Sequence, residues 1–140
     1  MSRYVSESLR TKVENRANGI CEYCLITIED TYFGGEIDHI ISLKHRGQTE
    51  FENLALACQP CNRSKGSDLG SLSESSKFLV RFFNPRTDEW SENFRLNPNG
   101  EIEFLTEIGE VTAIILGFNN QERIAERKEL IEIGRYTAKS

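Results

Sequence analysis

The strongest constraint on this chain is the placement of its four cysteines, as Cys21-x-x-Cys24 and Cys58-x-x-Cys61. Each pair can supply one two-thiolate corner, and two corners complete a tetrahedral zinc site. Any fold must therefore bring residues 21–24 against residues 58–61 and hold the segment between them. A redox reading needs a single C-x-x-C at a helix N-terminus, whereas this chain repeats the pair. Structural disulfides are equally disfavoured. The opening MSRYVSESLR lacks the apolar run of a secretory signal, so the expected compartment is the reducing cytoplasm. Zinc held by four thiolates has no open coordination position, so these cysteines are expected to clamp the fold and do no chemistry.

Inside the clamp lies EIDHIISL, residues 36–43, where Asp38-His39 interrupts an apolar strand of Ile37, Ile40, Ile41 and Leu43. Burying two ionisable groups without partners is costly, so they are either satisfied by neighbours or used for chemistry. LALAC, residues 54–58, reads as a second strand, and QPCNRSKG opens a short helix after Pro60. Asn53 falls in the loop between the strands. Asn62 and Lys65 lie three apart on the helix, on one face.

This order of strand, loop, strand and helix resembles the ββα-metal core of the HNH endonuclease family. The matching segments are EIDHI and ENLALACQPCNRSKG, and the resemblance covers residues 21–66. It implies that His39 is the general base, a neutral imidazole able to take a proton from water near pH 7. Asp38 and Asn62 match ligands of one Mg²⁺ or Mn²⁺ ion. Asn53 matches the residue that ties down the loop and helps orient the histidine. Lys65, with Arg63, matches a position facing the phosphate, where a cation stabilises developing negative charge. The implied reaction is metal-assisted hydrolysis of a DNA phosphodiester. Three positions depart from the usual pattern: Asn62 stands where a histidine is common, Ser42 where a proline often follows, and Arg46-Gly47 where Gly-Gly is frequent.

Other residues have plainer readings. Glu36 shares a strand face with Asp38 and is expected to be solvated or structural. Lys44 and Arg46 are candidate phosphate contacts, as is Arg63, and His45 is an exposed loop residue. Tyr23 and Trp90 are expected to pack rather than stack on bases.

The expected fold class is α+β: a zinc-stapled ββα-metal core with an N-terminal helix and a C-terminal hairpin and helix extension. At 140 residues the length suggests one domain, with the nuclease core at residues 1–80 and the extension at 81–140. Residues 5–19 should be helical, with Ser6 as N-cap, Leu9, Val13 and Ala17 on one stripe, and Gly19 just past the end. GSDLGSLSESS, residues 66–76, is a connector. KFLVRFF reads as a short helix, NFRLNPNGEIEFL as a β-hairpin and EVTAIILGF as a helix. QERIAERKELIEIG reads as an amphipathic helix with Ile124, Leu130 and Ile131 on its apolar side.

No apolar run reaches the roughly 20 residues needed to span a bilayer. The net charge of −5 weighs against tight non-specific DNA binding. Its distribution softens that objection, because residues 1–86 carry 11 basic and 11 acidic side chains while residues 87–140 carry 6 and 11. The leading expectation is a divalent-metal-dependent endonuclease. A nucleic-acid-binding zinc module that has lost catalysis is the alternative, and a structural zinc domain recruiting a protein partner through its acidic last helix is the third. The intact set of His39, Asp38 and Asn62 favours the enzyme.

Overall fold

The computed structural model describes residues 4–136; the Met-Ser-Arg that opens the stretch read against a secretory signal lies outside them. Two compact units divide the chain, Met1–Leu69 and Gly70–Ser140. The described residues form five α-helices and six short strands, the strands paired into three antiparallel two-stranded sheets, so the class is α+β. Among them no helix is long and apolar enough to cross a membrane.

The first unit opens with α1, Glu7–Arg16, whose N-terminus is capped by the Ser6 hydroxyl accepting from the Leu9 amide. Val13 points from α1 onto the sheet and forms a fully buried cluster with Leu54 and Leu56, against which Leu9, Ala17 and Ile37 pack. The Arg16 guanidinium donates to the carbonyls of Phe51 and Leu54, pinning the end of α1 to the next strand. β1, Gly35–His39, pairs antiparallel with β2, Leu54–Cys58, with Asp38 opposite Ala55 and His39 opposite Leu54. α2, Gln59–Lys65, follows at once, with Pro60 in its first turn where no amide is needed. The strand read over residues 36–43 ends at His39. Beyond it the Ile40 amide bonds the Asn53 carbonyl and the Asn53 side chain takes both backbone groups of Ile41, so the ladder stops.

In the second unit β3, Gly70–Leu72, pairs with β4, Leu79–Arg81. The KFLVRFF segment is therefore strand and not the expected helix. Leu72 and Leu79 face each other across the ladder, and Phe82 and Phe83 continue into the core. The sequence reading divided the chain at residue 80; β3 and β4 both lie in the second compact unit, Gly70–Ser140. α3, Trp90–Asn93, leads into the hairpin of β5, Phe94–Leu96, and β6, Ile102–Phe104. α4, Glu107–Ile115, and α5, Gln121–Glu132, complete the unit. Phe94 is its aromatic hub, with ring centroids 5.1 Å from Trp90 and 5.5 Å from Phe83 and Phe118.

Candidate active site

The four cysteines are buried, and their sulfurs all lie within 4.8 Å of one another. Cys24 Sγ and Cys58 Sγ, one from each pair, are 3.7 Å apart. In a tetrahedron with metal–sulfur bonds of about 2.3 Å the sulfurs are about 3.8 Å apart, so the cluster has the dimensions of a four-thiolate site and suits structural zinc. Four thiols packed together resist ionisation without a cation. Burial, first, and the neighbouring sulfurs hold the Cys61 thiol well above its usual range, and the sulfur contacts raise that of Cys58. Glu22, inside the first pair, fastens this corner to β2: its amide donates to the Leu56 carbonyl and its carboxylate accepts from the Leu56 amide, both at 2.8 Å.

Asp38 is linked to this cluster through Tyr23, which stands between Cys21 and Cys24, and is 2% exposed. Its Oδ2 accepts from the Tyr23 hydroxyl at 2.7 Å and faces Lys65 Nζ at 3.2 Å. Its Oδ1 has longer contacts, 3.3 Å to Lys65 Nζ and 3.4 Å to Asn62 Nδ2. Burial pushes the carboxyl above its ordinary range, while the Lys65 charge and the Tyr23 hydrogen bond pull it back. The same burial, with the Asp38 charge beside it, holds the Tyr23 phenol well above its usual value. Asp38, His39 and Asn62 line one open groove of about 460 Å³, with Glu36, Ser42 and Ser67 on its walls.

His39, half-buried at the end of β1, has its Nε2 2.9 Å from Thr49 Oγ1. The loop carrying Thr49 is held by Asn53, whose Nδ2 donates to the carbonyls of Ile41 and Gln48 and whose Oδ1 accepts from the Ile41 amide, each at 2.9 Å. Gly47 belongs to the same closure: a Cβ there would sit 1.7 Å from the Ile41 carbonyl oxygen. Ser42, at the position where proline is common in the resemblance, donates to the Ser67 carbonyl at 3.0 Å, joining the loop to the end of α2.

Several expected positions differ. Lys65 was expected to face a phosphate; instead it is 2% exposed, with Nζ on Asp38 and on the carbonyls of His39 at 3.0 Å and Ile40 at 3.1 Å. An ammonium at such depth needs an anion, and from its place one turn after Asn62 Lys65 reaches Asp38 on β1. Arg63 is exposed and turned to Glu36, Nε to Oε1 3.5 Å. Lys44, His45 and Arg46 are exposed on the loop, and Arg46 adopts a left-handed backbone, φ 72°. Tyr23 packs as expected, but its hydroxyl also holds the acid. Thr49 carries no sequence signal in the polar run KHRGQTE, and only the fold brings it to His39.

An antiparallel pair and a short helix, with four clustered cysteines beside them and an acid, an imidazole and an amide facing one groove, have the arrangement of a ββα-metal core. Residues 21–68 match the sequence model of the HNH endonuclease family, so this segment of the chain is similar to HNH domains. The chain is also similar to the Septu protein PtuB of Bacillus mycoides (strain KBAB4), 27% identical over 154 aligned positions. That alignment covers 91% of this chain and 52% of the relative, so the chain spans about half of the relative's length.

Proposed function

We propose that this chain is a divalent-metal-dependent endonuclease that hydrolyses phosphodiester bonds of DNA. The observation that carries the reading is the convergence of Asp38, Asn62 and His39 on one groove within the HNH segment. Asp38 Oδ1 is 3.4 Å from Asn62 Nδ2, so a carboxylate and an amide stand side by side at the groove, and their oxygens are the hard donors that would suit Mg²⁺ or Mn²⁺. Asn62 would turn its amide end for end to offer oxygen, a side-chain rotation that moves no backbone. Bound there, Mg²⁺ or Mn²⁺ supplies positive charge to the scissile phosphate and the leaving oxygen. His39, its ring held through Nε2 by Thr49, accepts the proton of the attacking water. Asn53 keeps the loop that carries Thr49 closed on β1. Lys44 and Arg46, exposed beside the groove, are assigned to DNA phosphates.

One observation favours a second reading, a nucleic-acid-binding module without catalysis. Asp38 is already engaged by Tyr23, Lys65 and Asn62 and is almost fully buried. Nicking of supercoiled plasmid in Mg²⁺ or Mn²⁺, wild type against His39→Ala, separates the two. Metal-dependent nicking by wild type, reduced at least about a hundredfold by the substitution, is the result expected of a lost general base. A zinc-loaded wild type that binds DNA and cuts none in any divalent metal would transfer the assignment to the binding module.

A further inference from the structure

Tyr23 stands between the two cysteines of the first pair, yet its side chain reaches across to the acid. The ring is fully buried, and its hydroxyl makes the shortest of the side-chain contacts described above for Asp38, 2.7 Å to Oδ2. A phenol buried at this depth needs a partner for its O–H. The backbone on both sides of Tyr23 is fixed independently of that bond, since Cys21 and Cys24 sit in the thiolate cluster and Glu22 is bonded twice to Leu56. The position of the hydroxyl is thus set by the four-cysteine site, and the hydroxyl in turn sets the carboxylate. The strong bond falls on Oδ2. Oδ1, with the longer contacts, is the oxygen beside Asn62.

We infer that Tyr23 is a positioning residue that couples the four-cysteine site to a second cation site, by fixing Asp38 Oδ2 so that Oδ1 is presented beside Asn62. The inference rests on the reading of Asp38 and Asn62 as cation ligands. It makes the two sites interdependent: a bound metal at the cysteines improves the affinity of the second site without touching its ion. Partners that orient metal-ligating side chains are typically worth about 10–100-fold in affinity.

The test uses the full chain, zinc-loaded and free of DNA, with Mn²⁺ as the probe and free Mn²⁺ followed by electron paramagnetic resonance. Tyr23→Phe keeps the ring and removes only the oxygen. It should retain its zinc and bind Mn²⁺ at least about tenfold more weakly than wild type. In the nicking assay the same variant should need a correspondingly higher Mn²⁺ concentration for half-maximal rate and recover near wild-type rate at saturation. A purely structural role would not produce that rescue. Wild-type Mn²⁺ affinity in Tyr23→Phe, alongside weakened binding in Asp38→Asn, would overturn the coupling and leave the cation site standing. Loss of zinc in Tyr23→Phe would make the residue structural and overturn it equally. Mn²⁺ affinity unchanged in both Asp38→Asn and Asn62→Ala would remove the cation site itself, and the coupling with it.

Discussion

A lysine amino group at 2% exposure has to be neutralised where it sits, and Asp38 is the carboxylate in contact with it. Lys65 meets both carboxylate oxygens and two backbone carbonyls, so it fixes the end of β1 to the last turn of α2. Replacing it by methionine keeps much of the volume and strands Asp38 as a buried acid without its countercharge. Lys65→Met should therefore destabilise the zinc-loaded chain by about 3–5 kcal/mol, read from urea unfolding. Adding Asp38→Asn should recover most of that loss, because the cost lies in the orphaned charge and not in the missing contacts. If the double variant is as unstable as the sum of the two singles, the ion pair is not what holds Lys65 in place. A phosphate-facing lysine would predict the opposite pattern, with stability unchanged and only DNA contacts weakened.

At the scale of elements, the last residue of β4 is tied to the loop that follows it by an ion pair. Arg81 donates to both oxygens of Asp88, at 2.8 and 3.0 Å, and the Asn84 amide donates to Asp88 Oδ2 at 2.9 Å. The Arg81 hydrogen bonds, ahead of the Asn84 amide, hold the Asp88 carboxyl below its ordinary value of 3.8. A depressed carboxyl stabilises the fold above its unfolded pKa and loses that contribution as pH falls through the folded value. The difference in unfolding midpoint between wild type and Arg81→Met, followed by the fluorescence of the sole tryptophan, Trp90, should be present at about pH 6 and close below about pH 4. A gap that persists at pH 2 would mean that Arg81 acts through packing alone. The sequence did not announce the pairing of β4 with β3, for a physical reason. KFLVRFF carries apolar residues at spacings that suit a helix as well as a strand, and only the distant partner Gly70–Leu72 decides. The elements of the HNH core were legible because cysteine spacing, the Asp-His pair and Pro60 each fix a position locally. α5 forms as its periodicity predicts, with Ile124, Leu130 and Ile131 half-buried, but its buried side chain is Arg127. Its guanidinium caps the carbonyls of Gly100 and Phe118, partners that no helical pattern contains. Likewise the direction of Lys65 depends on which anion lies within reach, a tertiary fact.

The whole molecule divides its stability between two different devices. The first unit has a small apolar cluster built on Val13, Leu54 and Leu56, with four of its buried side chains given to the thiolate site. A unit of this size rarely stands on such a core alone, so a zinc ion held by the four cysteines would supply a large part of its folding free energy. The second unit contains no cysteine, and its core is the aromatic group of Phe83, Trp90, Phe94 and Phe118. Stripping zinc with a strong chelator should therefore act on one unit only. In hydrogen exchange read by mass spectrometry, peptides from β1, β2 and α2 should lose protection within the chelation time, while peptides from β5, β6 and α4 keep theirs. Re-addition of zinc should restore the first set. Loss of protection in both sets together would show one cooperative molecule in which the metal supports everything, and the division at Leu69–Gly70 would then be one of contacts and not of stability.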